Sequence, residues 1–147
     1  MFSHFDDIDA KCGFIGPNGR LFTALSEMLG ANRLTLEEAK SFTVFNSLPY
    51  AEADSHDFLF VDIDGLGGIG KVFERLANLR THYPSVPVIM ISSEFKRDNF
   101  ERSRQALGDI SLRSPILYSS LEMALIESIK NNKHWQDNLM EYSQAAA

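Results

Sequence analysis

The sequence predicts a single α/β domain built on a five-stranded parallel sheet, with helices on both faces. Three observations lead there. The runs Phe58–Asp62 (FLFVD) and 86–92 (VPVIMIS) are almost continuously apolar rather than alternating, as strands covered on both sides of a sheet must be. Segments with apolar residues at three- and four-residue spacing follow the strand-like runs, so strand and helix alternate five times. That order favours parallel strands joined by right-handed crossovers. Finally, 147 residues suit one core and would be cramped for two.

Taken in order, Cys12-Gly13-Phe14-Ile15-Gly16 is a short apolar run broken by Pro17-Asn18-Gly19, and reads as a strand leaving into a loop. Leu21, Leu25, Met28 and Leu29 recur at helical spacing, and Gly30 stops that helix. Ser41 to Phe45 (SFTVF) is β-branched and aromatic, which predicts the second strand. A short helix is expected over Leu48 to Ser55. Phe58 to Asp62 is the third, central strand. Ile69, Val72, Phe73, Leu76 and Leu79 continue with helical period. Val86 to Ser92 is the fourth strand, with Pro84 and Pro87 at its entry. Phe100, Ser103 and Leu107 predict a helix closed by Gly108, and Ile110 to Leu112 a short fifth strand. Leu121, Ala124, Leu125 and Ile129 lie on the last helix, which is expected to run on through Trp135. The expected division is an N-terminal extension over 1–10, the domain over 11–133, and a C-terminal helical extension over 134–147. Ala145-Ala146-Ala147 reads as a frayed tail.

About 44% of the residues are apolar and 23% charged, ordinary for a soluble globular protein. The formal net charge of -6 gives no help to a nucleic-acid partner, and none is expected. The N-terminus, MFSHFDDIDAK, has neither a basic n-region nor an apolar h-region, so it does not read as a signal peptide. No apolar run approaches the ~18 residues of a membrane span. A single cysteine, Cys12, excludes an internal disulfide, predicts a reducing, cytoplasmic compartment, and is expected to be a small buried hydrophobe. His4, His56, His82 and His134 are scattered without metal-ligand spacing, and are expected on the solvated surface. The stretch GFIGPNG lacks both the Lys-Ser/Thr of a Walker loop and the G-x-G-x-x-G spacing. Gly65, Gly67, Gly68 and Gly70 suit a mobile or tightly turned loop before the next helix.

In open parallel sheets, ligands sit outside the carboxyl ends of the strands where strand order reverses. Asp62 falls at that end of the third strand, facing the loop Gly16-Pro17-Asn18-Gly19 if the first and third strands are neighbours. Two readings stay open. Asp62 is a chemical site, or it is a polar strand end satisfied by backbone N–H groups of the glycine-rich loop that follows. Ser92 is similarly either a site hydroxyl or a local partner of the backbone.

Together, DFLFVDIDGLGGIG, then PVIMIS, then a fifth strand ending at Pro115 resemble the receiver domain of two-component response regulators, over roughly Lys11 to Lys133. Ser92 lies 30 residues after Asp62, and Ser114 lies 22 after Ser92; the family spaces its phosphoacceptor Asp, switch Ser/Thr and Lys-Pro pair at essentially these intervals. The resemblance implies the flavodoxin-like strand order 2-1-3-4-5. It places Asp62 at the phosphoacceptor position, Ser92 at the switch hydroxyl and Ser111 at the switch aromatic. Ser114 stands where the family has its Lys. The Mg²⁺-binding acid pair would fall at Pro17 and Asn18, or at Gly16 and Pro17, and neither alignment supplies a carboxylate. Asp64 occupies a position whose backbone carbonyl serves the metal, so its side chain is not implicated. No metal site and no cofactor are expected, and Mg²⁺ would bind weakly at best through Asp62 alone. Arg113 offers a positive charge beside Ser114, but adjacent strand positions point to opposite faces.

The basic residues are unevenly spread: Lys96, Arg97, Arg102, Arg104 and Arg113 are five of the fourteen. Such a run commonly forms a solvated helix face. The resemblance implies that the fourth helix, fifth strand and fifth helix form the surface used for partners and for a homodimer, where these cations would meet an acidic partner. The expected function is therefore that of an atypical, stand-alone receiver-like domain. It would act as a protein-interaction module in signalling rather than as an enzyme, with a histidine kinase or an output protein as partner. Two rivals remain. One is a conventional phosphoacceptor, with Asp62 phosphorylated by a histidine kinase. The other is a small-molecule binder using the glycine-rich first loop and the same crevice.

Overall fold

The computed structural model of the protein describes residues 10–146, with side chains described through Tyr142. The elements run β1 (Lys11–Ile15), α1 (Arg20–Gly30), β2 (Thr35–Leu36), α2 (Phe42–Asn46), α3 (Tyr50–Asp54), β3 (Phe58–Asp62), α4 (Ile69–His82), β4 (Val88–Ser92), β5 (Ile110–Arg113) and α5 (Tyr118–Ala146). The five strands form one sheet in the order β2-β1-β3-β4-β5, and every neighbouring pair is parallel. This is the predicted order 2-1-3-4-5.

The side-chain period of two explains why the central strands read as continuously apolar. Phe58 and Phe60 face one way and pack with Phe14, Leu25, Ile89, Ile91, Leu121 and Leu125, between the sheet and α1 and α5. Leu59 and Val61 face the other way, among Phe45, Leu76, Leu79 and Met90, beneath α2 and α4. Cys12 is fully buried, and its burial among these side chains pushes the thiol pKa up to about 12, helped by the charges of Asp57 and Glu37.

Three expectations are corrected. Ser41 to Phe45 is not a strand: Phe42–Asn46 is the helix α2, and the second strand is the two-residue β2. The reason lies in spacing and capping. Phe42 and Phe45 are both buried, three residues apart as one helical face requires. The hydroxyl of Ser41 accepts from the Val44 N–H at 3.1 Å, an N-cap that a strand would not use. Phe100 to Leu107 is not a helix either, but a series of turns. Its start is pulled to the sheet edge, where Asn99 N–H donates to Ser111 O at 2.7 Å and Ser111 N–H to Asn99 O at 3.0 Å. Asp98 Oδ1 also accepts from Arg113 N–H at 2.7 Å. The outward-facing groups of β5 are thereby occupied, which blunts an edge that would otherwise template another strand. Lastly, His56 is not on the surface. Its Nδ1 donates to Ala53 O at 2.9 Å, its Nε2 lies 2.8 Å from Glu37 Oε1, and only 3% of it is exposed. Gly13 makes room for the ring, since a Cβ there would come within 2.7 Å of His56 Cδ2. His82 is exposed and His134 half-buried, while His4 lies outside the described residues.

The segment between β4 and β5 is held from below by a buried ion pair. Arg80 of α4 donates from both terminal nitrogens to the two oxygens of Asp109, at 2.9 and 2.8 Å, and both residues are essentially inaccessible. Arg80 Nε donates to Gln105 O, and the guanidinium lies over the Trp135 ring at 4.8 Å. Asp109 also accepts from Val88 N–H. Asn131 of α5 donates to both Phe100 O and Asp109 O at 2.9 Å. Removing one partner of such a pair strands a buried charge, which typically costs about 3–5 kcal/mol. Arg80→Ala is therefore expected to lose about that much by urea denaturation, whereas Arg80→Met combined with Asp109→Leu should recover most of it. A loss below about 1 kcal/mol for the single variant would remove the pair from this central place.

Candidate functional site

Asp62, Asp64, Ser92, Ser93 and Ser114 meet at the carboxyl ends of β3, β4 and β5, the rim where the loop after β1 also arrives. Parallel pairing brings Asp62 opposite Ile91, and Ser92 opposite Arg113.

Asp62 is buried to 8% exposure. Its Oδ1 accepts from Gly65 N–H at 2.9 Å, the strand-end satisfaction by the following loop that the sequence allows. Two glycines make that fit possible. A Cβ on Gly65 would come within 2.4 Å of Asp62 Oδ2 and 2.6 Å of Pro17 Cδ. Gly16 has φ +151, and a Cβ there would come within 2.7 Å of Asp62 Cβ. The carboxylate is thus walled by Gly16-Pro17 on one side and Gly65 on the other. Burial raises its pKa; the Gly65 N–H opposes that rise, and the charge of Asp64 adds to it. Pro17 and Asn18 are exposed and bring no carboxylate to the rim.

Asp64, two residues on, was not implicated by sequence, yet it makes more polar contacts than any other side chain at this rim. Ser92 Oγ donates to its Oδ1 at 2.6 Å. Ser93 N–H and Ser93 Oγ donate to its Oδ2 at 2.8 and 2.7 Å. Burial alone would raise the Asp64 pKa, but these three donors outweigh it and hold the carboxyl below the ordinary carboxylate range. Ser92 in turn accepts from Glu94 N–H at 3.0 Å. Chain spacing could not have found this contact, because Asp64 and Ser92 are 28 residues apart. The one available signal was a second acid in a glycine-rich turn opposite a Ser-Ser pair.

The other predicted positions divide. Ser111 is buried, and its hydroxyl accepts from Arg104 Nη1 at 3.2 Å. The Arg104 guanidinium also lies over Phe95, 4.9 Å from the ring centre. Arg113 points outward and donates to Lys96 O at 3.0 Å, while Ser114 is half-buried, the opposite facing that strand geometry demands. Ser114 N–H donates to Ser92 O at 3.3 Å, and Ser114 precedes a cis bond to Pro115. Ser114 also lines a groove of ≈ 510 Å³ with Ser93, Arg20, Leu21, Met28 and Ile116; Asp62 is not on its wall. Lys96, Arg97, Arg102, Arg104 and Arg113 are all exposed. Among the described residues, none of the five has a carboxylate within 4.0 Å of its charged nitrogens. Among the described residues there is also no group of three or more His, Cys, Asp or Glu placed to hold a metal ion, and no helix long and apolar enough to cross a membrane.

No protein-family model matches the chain, and no curated protein matches it. Solved structures do. A response regulator receiver domain protein from Clostridium thermocellum superposes with a TM-score of 0.63 at 18% identity, over 84% of this chain and 97% of that one. The signal receiver domain of an HD domain-containing protein from Pseudomonas fluorescens Pf-5 gives 0.61 at 15%, over 88% and 93%. A candidate pilus assembly-related protein from Burkholderia pseudomallei gives 0.63 at 15%, over 84% and 91%. At these identities the likeness is one of fold: the chain has the fold of receiver domains.

The raised pKa of Asp62 sets a signed expectation. A carboxyl that binds its proton more tightly when folded than when unfolded lowers stability as pH rises past its ordinary value of 3.8. Asp62→Asn keeps the acceptor for Gly65 N–H and removes the charge. It is expected to be at least as stable as the parent at pH 7, with the difference shrinking as the pH falls toward 4. Urea midpoints at both pH values test this. A loss above about 1 kcal/mol at pH 7 would mean that the charge itself is used by the fold.

Proposed function

We propose that this chain is an atypical receiver-like module that works by docking on a protein partner in signal transduction, without a phosphorylation step at Asp62. The observation that carries this reading is the state of Ser92. Its hydroxyl donates to Asp64 and accepts from Glu94 N–H, so it is already engaged and not free for a group carried by Asp62. The surroundings of Asp62 support the same reading. Mg²⁺ asks for carboxylates and retained waters in near-octahedral geometry. Asp62 has one oxygen on Gly65 N–H, Asp64 has both oxygens on serine donors, and Pro17 presses on the rim. That donor set does not suit the ion, and no step is assigned to it. The position at which the family has its Lys also brings no charge here, since Ser114 is neutral and the neighbouring Arg113 points away.

The docking surface we favour is the outer edge of β5 with the turns before it. Lys96, Arg97 and Arg102 stand there exposed, beside Arg104 held on Phe95. Exposed cations without carboxylate neighbours, on a chain of net charge -6, suit an acidic protein surface and give an ionic-strength-dependent association. The edge strand is closed by Asn99 and Asp98, so docking would use side chains rather than strand addition. Signalling rather than catalysis, and a cytoplasmic setting consistent with the unpaired buried Cys12, belong to the same proposal.

Amide-resolved NMR with Mg²⁺ and then beryllofluoride tests the central claim, with Asp62→Ala as control. We expect no saturable shift at Asp62, Ser92 or Ser114; shifts that saturate in the parent and vanish in the variant would establish Asp62 as a working phosphoacceptor. For the docking face, Arg97→Glu with Arg102→Glu reverses charge while leaving Arg104 on Ser111. Proteins retained by the immobilised parent at low salt should be lost by this variant, with affinity falling about tenfold or more. Retention of the same proteins by both would remove the basic edge from the interface.

A further inference from the structure

Beside the outer edge of β5, Glu94, Phe95, Lys96, Arg97, Asn99 and Arg104 line a cavity of ≈ 420 Å³. Three cations meet one carboxylate there, that of Glu94. The acid next to Lys96 and Arg97 in the chain is Asp98, and its oxygens are committed elsewhere. Oδ1 accepts from Arg113 N–H at 2.7 Å, and Oδ2 accepts from Ser120 Oγ. Among the described residues, Lys96 Nζ and the Arg97 guanidinium have neither a hydrogen-bond acceptor nor a carboxylate within 4.0 Å. The positive charge of the cavity is thus left without an internal partner.

Arg104 is the fixed member of the set. Its Nη1 donates to the Ser111 hydroxyl at 3.2 Å, and its guanidinium carbon lies 4.9 Å from the centre of the Phe95 ring. Phe95 is 8% exposed and Ser111 3%, so the groups that hold the guanidinium are themselves held by the core. Its Nε and Nη2 have no acceptor among the described residues. A guanidinium pinned through one nitrogen and one face presents its remaining donors as a planar fork, the shape that takes two oxygens of one oxyanion. The backbone around it is fixed as well. Arg113 Nη1 donates to Lys96 O at 3.0 Å, and Asn99 and Ser111 pair through both backbone groups. A ligand therefore has only the Lys96 and Arg97 side chains left to order, which lowers the entropic cost of binding.

Charge decides the class of ligand. Three positive groups less the one carboxylate leave the cavity with a net charge of +2. A phosphate monoester carries about −1.5 to −2 near neutral pH and matches that charge, whereas a single carboxylate leaves one cation over. We propose that this cavity is a phosphate-monoester site, with two phosphoryl oxygens on Nε and Nη2 of Arg104 and the rest of the charge met by Lys96 and Arg97. The site concerns a small ligand and does not rest on the docking reading. It is tested on the chain alone, so either proposal can fail without the other.

The test is a titration of the amide spectrum with inorganic phosphate and then methyl phosphate, at about pH 7.5 and at an ionic strength held constant with sodium chloride. The Phe95, Lys96, Arg97 and Arg104 amides should shift saturably, with a Kd on the order of 1 mM for both probes. Acetate should bind about tenfold more weakly. Arg104→Gln should weaken phosphate about tenfold or more. Arg104→Lys keeps the charge without the fork and should restore only part of that loss. Lys96→Gln with Arg97→Gln should also weaken phosphate about tenfold. Both side chains are exposed, so this variant keeps the test decisive if Arg104→Gln does not fold. Glu94→Gln removes the opposing charge and should tighten binding. Arg102→Gln removes a cation of the same edge that is not on the cavity wall, and should weaken phosphate by no more than about threefold. Three results overturn the proposal. One is no saturation by about 50 mM phosphate. Another is acetate binding as tightly as phosphate, which would return the cavity to the acidic side chains of a protein partner. The third is a loss in Arg102→Gln as large as in Arg104→Gln, the mark of a diffuse field rather than a site.

Discussion

The buried pair of Arg80 and Asp109 is the constraint on which the unusual half of this domain depends. Between β4 and β5 the chain runs through turns, so its backbone groups have no helical ladder to satisfy them. Side chains do this instead. Arg80 takes Gln105 O, and Asn131 takes Phe100 O and Asp109 O. Trp135 donates to Arg80 O while its ring covers the guanidinium. α4, α5 and the turn segment are thus tied through one ion pair. Desolvating two charges offsets much of their attraction, so such a pair contributes more to fixing one arrangement than to net stability. What it fixes here is the approach to β5, and with it the exposed row from Lys96 to Arg104.

The opposite end of the sheet shows how position decides the behaviour of two acids separated by one residue. Asp62 is the last residue of a buried strand, and one N–H is what its surroundings supply to set against desolvation. Asp64 stands on the turn, loses less water and gains three donors. Their pKa values move in opposite directions for that reason. The carboxylate at the phosphoacceptor position has one N–H donor, while its neighbour Asp64 has three and ties the turn after β3 to the end of β4.

The fold was legible because its signals are local. Phe58–Asp62 and Val88–Ser92 alternate faces so that each face of the sheet receives an apolar row, and the order of strands and helices follows from counting those rows. The failures were also local in cause. SFTVF carries residues that favour strands, but Phe42 and Phe45 on one face and the Ser41 cap decided for a helix. Phe100, Ser103 and Leu107 have helical spacing, yet Asn99 was claimed by the edge of β5 and Arg80 claimed the carbonyl of Gln105. His56 reads as a loop residue, and it is buried because Gly13 on the neighbouring strand leaves the space for its ring.

By itself, then, the sequence determined the parallel sheet and the place of Asp62 at the carboxyl end of its third strand, through hydrophobic period and short chain connections. The strand order was implied by the resemblance to receiver domains and not by those patterns. Only the tertiary structure decided which carboxylate would find donors, which cation would be buried and which would face solvent. Asp64 meets Ser92 across 28 residues and Arg80 meets Asp109 across 29. Contacts of that range are set by how loops and helix ends come together once the core has packed, and no local pattern in the chain encodes them.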